Sequence, residues 1–80
     1  MKKYFYHISM ATPVGFGTIF HNDARHPLHP DMYQERTEKI ASELTLMSGR
    51  RITADAVTFV TLTEIPEEVA KIRWPDDFKS

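Results

Sequence analysis

Three segments of this chain carry a strand pattern with large apolar residues on both faces: Tyr4 to Met10, Gly15 to Phe20 and Ala56 to Thr63. Only one long helical pattern is available to cover them. One helix shields one face of a sheet, so the second face needs another cover. That shortage constrains the fold more than any motif does.

The first strand, Tyr4-Phe5-Tyr6-His7-Ile8-Ser9-Met10, is dense in aromatic and β-branched residues. Tyr4, Tyr6, Ile8 and Met10 share one face, and Phe5, His7 and Ser9 share the other. Ala11 to Val14 reads as a turn, with Pro13 lacking a ladder donor. Gly15 to Phe20 returns antiparallel over so short a connection. Gly17 inside that strand is expected to mark a bulge or a close approach by a bulky neighbour. Ala56 to Thr63 sets Val57 and Phe59 against Val60 and Leu62, which predicts a buried and central third strand.

Residues 21–31 hold two prolines and no periodicity, so they read as loop. Asp31 is the expected helix N-cap, with Gln34 completing an approximate capping box. Tyr33, Thr37, Ile40, Ala41, Leu44 and Met47 form one apolar stripe. Gly49 is the natural stop, followed by Arg50 and Arg51 near the negative end of the dipole. Pro66, at the first helical position, and the acids Glu67 and Glu68 predict a short second helix ending at Trp74-Pro75.

The fold class is therefore α+β: ββαβ, a three-stranded sheet with one long helix on one face and a short C-terminal helical turn. Residues 1–74 form a single domain and 75–80 a flexible tail. If the third strand runs parallel to the second, a right-handed crossover brings it beside either strand 2 or strand 1. The uncovered face carries either Phe5 and Ile19 or Tyr4, Tyr6, Ile8, Phe16 and Phe20. Its cover is a second copy of the chain, the segment Ile65, Val69, Ile72 and Trp74, or a foreign partner, in that order of expectation. Phe5, His7, Ile19 and Trp74 are the candidate interaction surface.

Composition narrows the function. Eighty residues with 41% apolar and 26% charged content describe an ordinary small globular chain. A net charge of −1 gives no bulk pull toward nucleic acid or anionic lipid. No stretch has the length of a membrane span. The basic start Lys2-Lys3 precedes a segment too short and too polar, with His7 and Ser9, for a secretory leader. Cysteine is absent, which removes disulfides and thiol chemistry and suits the cytoplasm. No serine stands in a triad motif, Gly15-Phe16-Gly17 lacks the third glycine of a dinucleotide loop, and Glu64, Glu67 and Glu68 are explained by a helix start. No catalytic residue and no cofactor are expected.

Two chemical alternatives remain. His21, His26 and His29, with Asp23 and Asp31, could hold a divalent metal, although their spacing matches no ligand motif. Lys2, Lys3, Arg50 and Arg51 beside Tyr4, Phe5 and Tyr6 could serve a nucleic-acid-binding modulator.

An opening strand ending in His7-Ile8-Ser9, the Gly15 to Phe20 return, the helix from Tyr33 to Met47 and the Val57 to Leu62 strand resemble a group of small phage and prophage-encoded ββαβ proteins. The resemblance covers residues 10–64 or so, implies a setting rather than a mechanism, and carries over no functional residue. The expectation is a small non-enzymatic cytoplasmic interaction protein, homodimeric and of prophage origin, binding through sheet aromatics and the 21–31 loop.

Overall fold

The computed structural model describes residues 2–79. Met1 and Ser80, the outermost residues of the expected domain and tail, lie outside that range. The chain runs β1 (Tyr4–Thr12), β2 (Gly15–Asp23), α1 (Pro30–Ser48), a 3-10 turn (Ala54–Ala56), β3 (Thr58–Glu64), α2 (Glu67–Arg73) and a second 3-10 turn (Pro75–Phe78). The architecture is α+β with a three-stranded antiparallel sheet, one long helix and a short C-terminal helix.

The strand order is β2-β1-β3. β1 is antiparallel to both neighbours, so β2 and β3 point the same way with β1 between them. The chain leaves β2, forms α1, and returns beside strand 1. The expectation of a central third strand is therefore wrong: β3 is an edge, and β1 is central. A bulge accounts for the two-sided apolar pattern of β3. Ser9 pairs with Thr61 but Met10 pairs with Phe59, which leaves Val60 as the extra residue. The bulge breaks the two-residue alternation and brings Phe59 and Leu62 onto one face, opposite Met10 and Ile8. Val60, 54% exposed, is left outside the ladder.

Hairpin register corrects a second expectation. Ile8 pairs with Ile19 and His7 with Phe20. Ile19 therefore shares the face of Ile8 and Met10, whereas Phe16 and Phe20 share that of Phe5 and His7. Gly15, at φ 124°, supplies a turn conformation closed to other residues. Gly17 is not a close-approach site: a side-chain carbon there would meet nothing within 4 Å.

α1 covers the Ile8 face. Met10, Ala41, Ile52 and Val57 form the core cluster, with Ile19, Ile40, Leu44 and Phe59 packed against it. Full burial of a side chain such as Ile8 is worth ~1.5–3 kcal/mol. Met32 and Thr37 are also buried, while Met47, expected in the stripe, is 82% exposed. The N-cap is His29 rather than Asp31. Its Nδ1 accepts from the Asp31 N–H at 3.2 Å, with Pro30 opening the helix. Gln34 donates to Glu38 at 2.9 Å instead of closing a capping box. Gly49 ends the helix as expected, at φ 70° with its N–H on the Thr45 carbonyl. Pro66 is the N-cap of α2 rather than its first residue.

The C-terminal segment supplies part of the second cover through Trp74 and Phe78, whereas Val69 and Ile72, expected to share in it, are 51% and 82% exposed. Phe5 sits 5.3 Å from the ring centroids of both Trp74 and Phe78, and Trp74 also reaches Phe20 at 6.2 Å. Asp77 accepts from Lys3 at 2.6 Å and from Asn22 at 2.7 Å. Residues 75–79 are thus tied down by side-chain contacts rather than trailing as a free tail. Beyond Phe5 and Phe20, the centre of the same face is polar, where Ser9 and Thr61 hydrogen-bond across the strands with Thr18 and Thr63 on either side, and its far end carries the exposed Phe16. The apolar surplus is smaller than the sequence suggests.

Because Trp74 clasps Phe5 from the junction between α2 and the second 3-10 turn, Trp74→Ala is expected to lower unfolding free energy by roughly 3 kcal/mol. Urea denaturation checks this, and a loss below about 0.5 kcal/mol would show the clasp to be incidental.

Candidate functional site

The four residues expected to form one surface do not. Phe5, His7 and Trp74 gather with Phe20 on the sheet face away from α1; the His7 and Phe20 rings are 4.9 Å apart. Phe5, His7 and Trp74 are half-buried there under the C-terminal segment. Ile19 lies on the opposite face, against the core cluster.

The loop expected over residues 21–31 is shorter, 24–29, because β2 runs to Asp23 and α1 starts at Pro30, and its polar side chains are largely paired within the chain. The Arg25 guanidinium binds Asp23 at 3.1 Å and Glu35 at 3.2 Å. That hydrogen bond to Arg25 holds the Asp23 carboxyl below its usual range. The His26 ring meets the Tyr4 and Tyr6 rings edge-on at 5.3 and 5.1 Å. Its Nε2 is 3.2 Å from the Tyr6 hydroxyl, and its Nδ1 accepts from the Leu28 N–H at 3.1 Å. The loop therefore covers the tyrosine end of the sheet, and Pro27 is buried beneath it.

The histidines do not converge on a metal. His29 caps α1 through Nδ1, His26 is engaged by Tyr6 and Leu28, and His21 is fully buried with Nε2 2.9 Å from the Arg25 carbonyl. Among the described residues, no three His, Cys, Asp or Glu side chains are grouped to hold an ion. Since Nε2 of His21 donates, its Nδ1 is a lone-pair acceptor, buried without a partner.

The basic residues expected to cluster are also separated. Lys2 and Lys3, at the start of β1, line one cleft with Glu64, Glu67 and Asp77, so their charge is balanced locally. Lys2 additionally lies over the Tyr4 ring at 5.8 Å. Arg50 and Arg51 follow the other end of α1, beside Ile52 of the cluster that contains Met10. β1 separates the two pairs by most of its nine residues, ~3.4 Å each.

The surface that is left open lies elsewhere, along β2. Among the described residues β2 pairs only with β1. Gly15, Phe16, Gly17 and Thr18 are all exposed, Phe16 at 85%. Between this edge and α1 runs a groove of about 350 Å³, walled by Phe16, Gly17 and Ile19 on one side and Ile40, Leu44 and Met47 on the other. A glycine at 17 keeps that groove open, because no side chain fills it. The groove continues past Thr18 and Phe20 into a second cavity of about 400 Å³, where Arg36 and Lys39 of α1 and Arg73 and Trp74 enter the lining. The sequence signal for this site was present in part: Arg36, Lys39 and Glu43 recur at helical steps on one side of α1. Arg73 could not be joined to them without the fold.

His21 sits under this edge, and its protonation is opposed. Burial lowers its pKa from the usual 6.5, and the positive charge of Arg36 adds to the effect, while the Arg25 carbonyl works against it. The folded protein therefore binds the proton less readily than the unfolded chain. Stability is fully present above the unfolded value of 6.5 and falls as pH drops through it toward the folded value. Thermal unfolding between pH 8 and roughly pH 5 is expected to show this loss, and His21→Asn to flatten it. An unchanged slope in the variant would assign the loss to other groups. Neither family models, curated proteins nor solved structures match the chain.

Proposed function

We propose that this chain is a small non-enzymatic protein-interaction module that accepts an extended segment of a partner protein along the open edge of β2. The observation that carries it is the exposed run Gly15 to Thr18, which pairs with β1 on one edge and, among the described residues, with nothing on the other, bordered by an apolar groove under α1. On such an edge every second residue presents an N–H and a C=O outward, ready to pair with another strand. Strand addition uses these groups for affinity and flanking pockets for selectivity.

The two edges of the sheet differ in a way that favours β2. β3 carries the Val60 bulge, a feature that disfavours pairing. β2 is flat by comparison, its register with β1 unbroken over nine pairs. Trp74 and Phe78 cover the Phe5 end of the apolar face that suggests a homodimer, while Phe16 stays exposed at the β2 edge. A second copy therefore competes with a foreign segment at that edge. The prophage setting rests on the resemblance of the strand and helix motifs alone.

The test uses an eight-residue peptide of alternating threonine and valine with the ¹⁵N-labelled protein. Amide shifts and slowed exchange confined to residues 15–20 are expected, with β3 unmoved. Phe16→Glu is expected to weaken binding severalfold without altering the fold. Shifts centred on β3 would defeat the proposal. So would light scattering that shows a dimer dissociated by Phe16→Glu, which would make the second copy the occupant.

A further inference from the structure

The C-terminal end of the β2 edge is electrostatically different from the rest of it. Arg36, Lys39 and Arg73 line one cavity with Trp74, against a single carboxylate, Glu43. The chain as a whole carries a net charge of −1, so this local excess of cations is a property of the site. None of the three makes an ion pair among the described residues, although other cations here do. The Arg36 Nε–H is buried with no hydrogen-bond partner among the described residues. The Arg73 guanidinium lies 3.6 Å from the Phe20 ring centroid and 5.4 Å from that of Trp74. Those rings steady its plane without neutralising its charge.

The cations also lie on both sides of the sheet. Arg36 and Lys39 belong to α1, which packs on the Ile19 face, while Arg73 lies over Phe20 on the other. Successive side chains of a strand added to β2 point alternately to these two sides. Guanidinium forks match carboxylates in two-bond geometry. We infer that the partner segment is acidic, with neighbouring carboxylates that engage Arg36 and Lys39 on one side of β2 and Arg73 on the other. This rests on the strand-addition reading and names its ligand class. Glu43 at the rim then disfavours a segment that is acidic along its whole length, which restricts the acids to the end nearest Phe20.

Two threonine-valine peptides of eight residues test this, one ending in Glu-Glu and its twin in Gln-Gln. At low ionic strength the Glu-Glu peptide is expected to bind about tenfold more tightly. That gain should shrink as salt is raised. It should also disappear in an Arg36→Gln, Arg73→Gln double variant, whereas Lys2→Gln leaves it unchanged. If Arg36→Gln disturbs the ¹⁵N spectrum of the free protein, Lys39→Gln with Arg73→Gln serves instead, since both side chains are exposed. Equal binding of the twins at β2 would overturn the acidic assignment and leave strand addition standing. No response at residues 15–20 to either peptide would remove both.

Discussion

β1 is the one element that every other part of the molecule uses. It is hydrogen-bonded along both edges, to β2 and to β3. It is also packed on both faces: Ile8 and Met10 are buried on the α1 side, and Phe5 lies under Trp74 and Phe78 on the other. A strand in that position must satisfy its backbone and both side-chain sets at once. The mixed aromatic and aliphatic content of Tyr4 to Met10 meets that demand. Neither flanking strand does: β2 is mostly exposed at its glycine end, and β3 is largely threonine on one face.

The second constraint is the way a small chain finds two covers. An 80-residue domain buries a modest share of its surface, so each cover counts. α1 takes one face, the histidine-rich loop takes the tyrosine end of that face, and the C-terminal segment clasps the Phe5 end of the other. Lys3 and Asn22, both donating to Asp77, fix the clasp from neighbouring strands. Of the two sheet faces, what remains uncovered is hydroxyl-rich at Ser9 and Thr61 and apolar at Phe16 on the β2 edge. The functional reading follows from this remainder. Residues that are conspicuous in the sequence, the histidines and the aromatic cluster, are occupied by holding the fold together.

The elements themselves were legible because their signals are local. Alternation marked the strands, three- and four-residue spacing marked α1, and Gly49 marked its end. The failures also have local causes. Asp31 was a reasonable N-cap, but His29 can accept through Nδ1, and Pro30 favours a helix that begins immediately after it. The strand pattern groups Ile19 with Phe5, but a hairpin's register follows from its turn, and the closing pair of Thr12 and Gly15 sets Ile19 beside Ile8. The candidate site was almost invisible for a different reason. Its backbone edge is defined by the lack of a neighbour, and its cations come from segments more than thirty residues apart in the sequence, Arg36 and Arg73.

By itself, then, the order of residues determined the three strands, the two α-helices and the α+β class, but not the two 3-10 turns, since periodicity, glycine and proline act within a few residues. Tertiary structure alone decided which strand became central and which face each aromatic occupies. Those outcomes depend on pairing across the chain: one extra residue at Val60 reverses the facing of all that follows it. The same long-range pairing left β2 open and brought Arg73 to Arg36, because a free edge and a charge cluster arise only once distant segments meet.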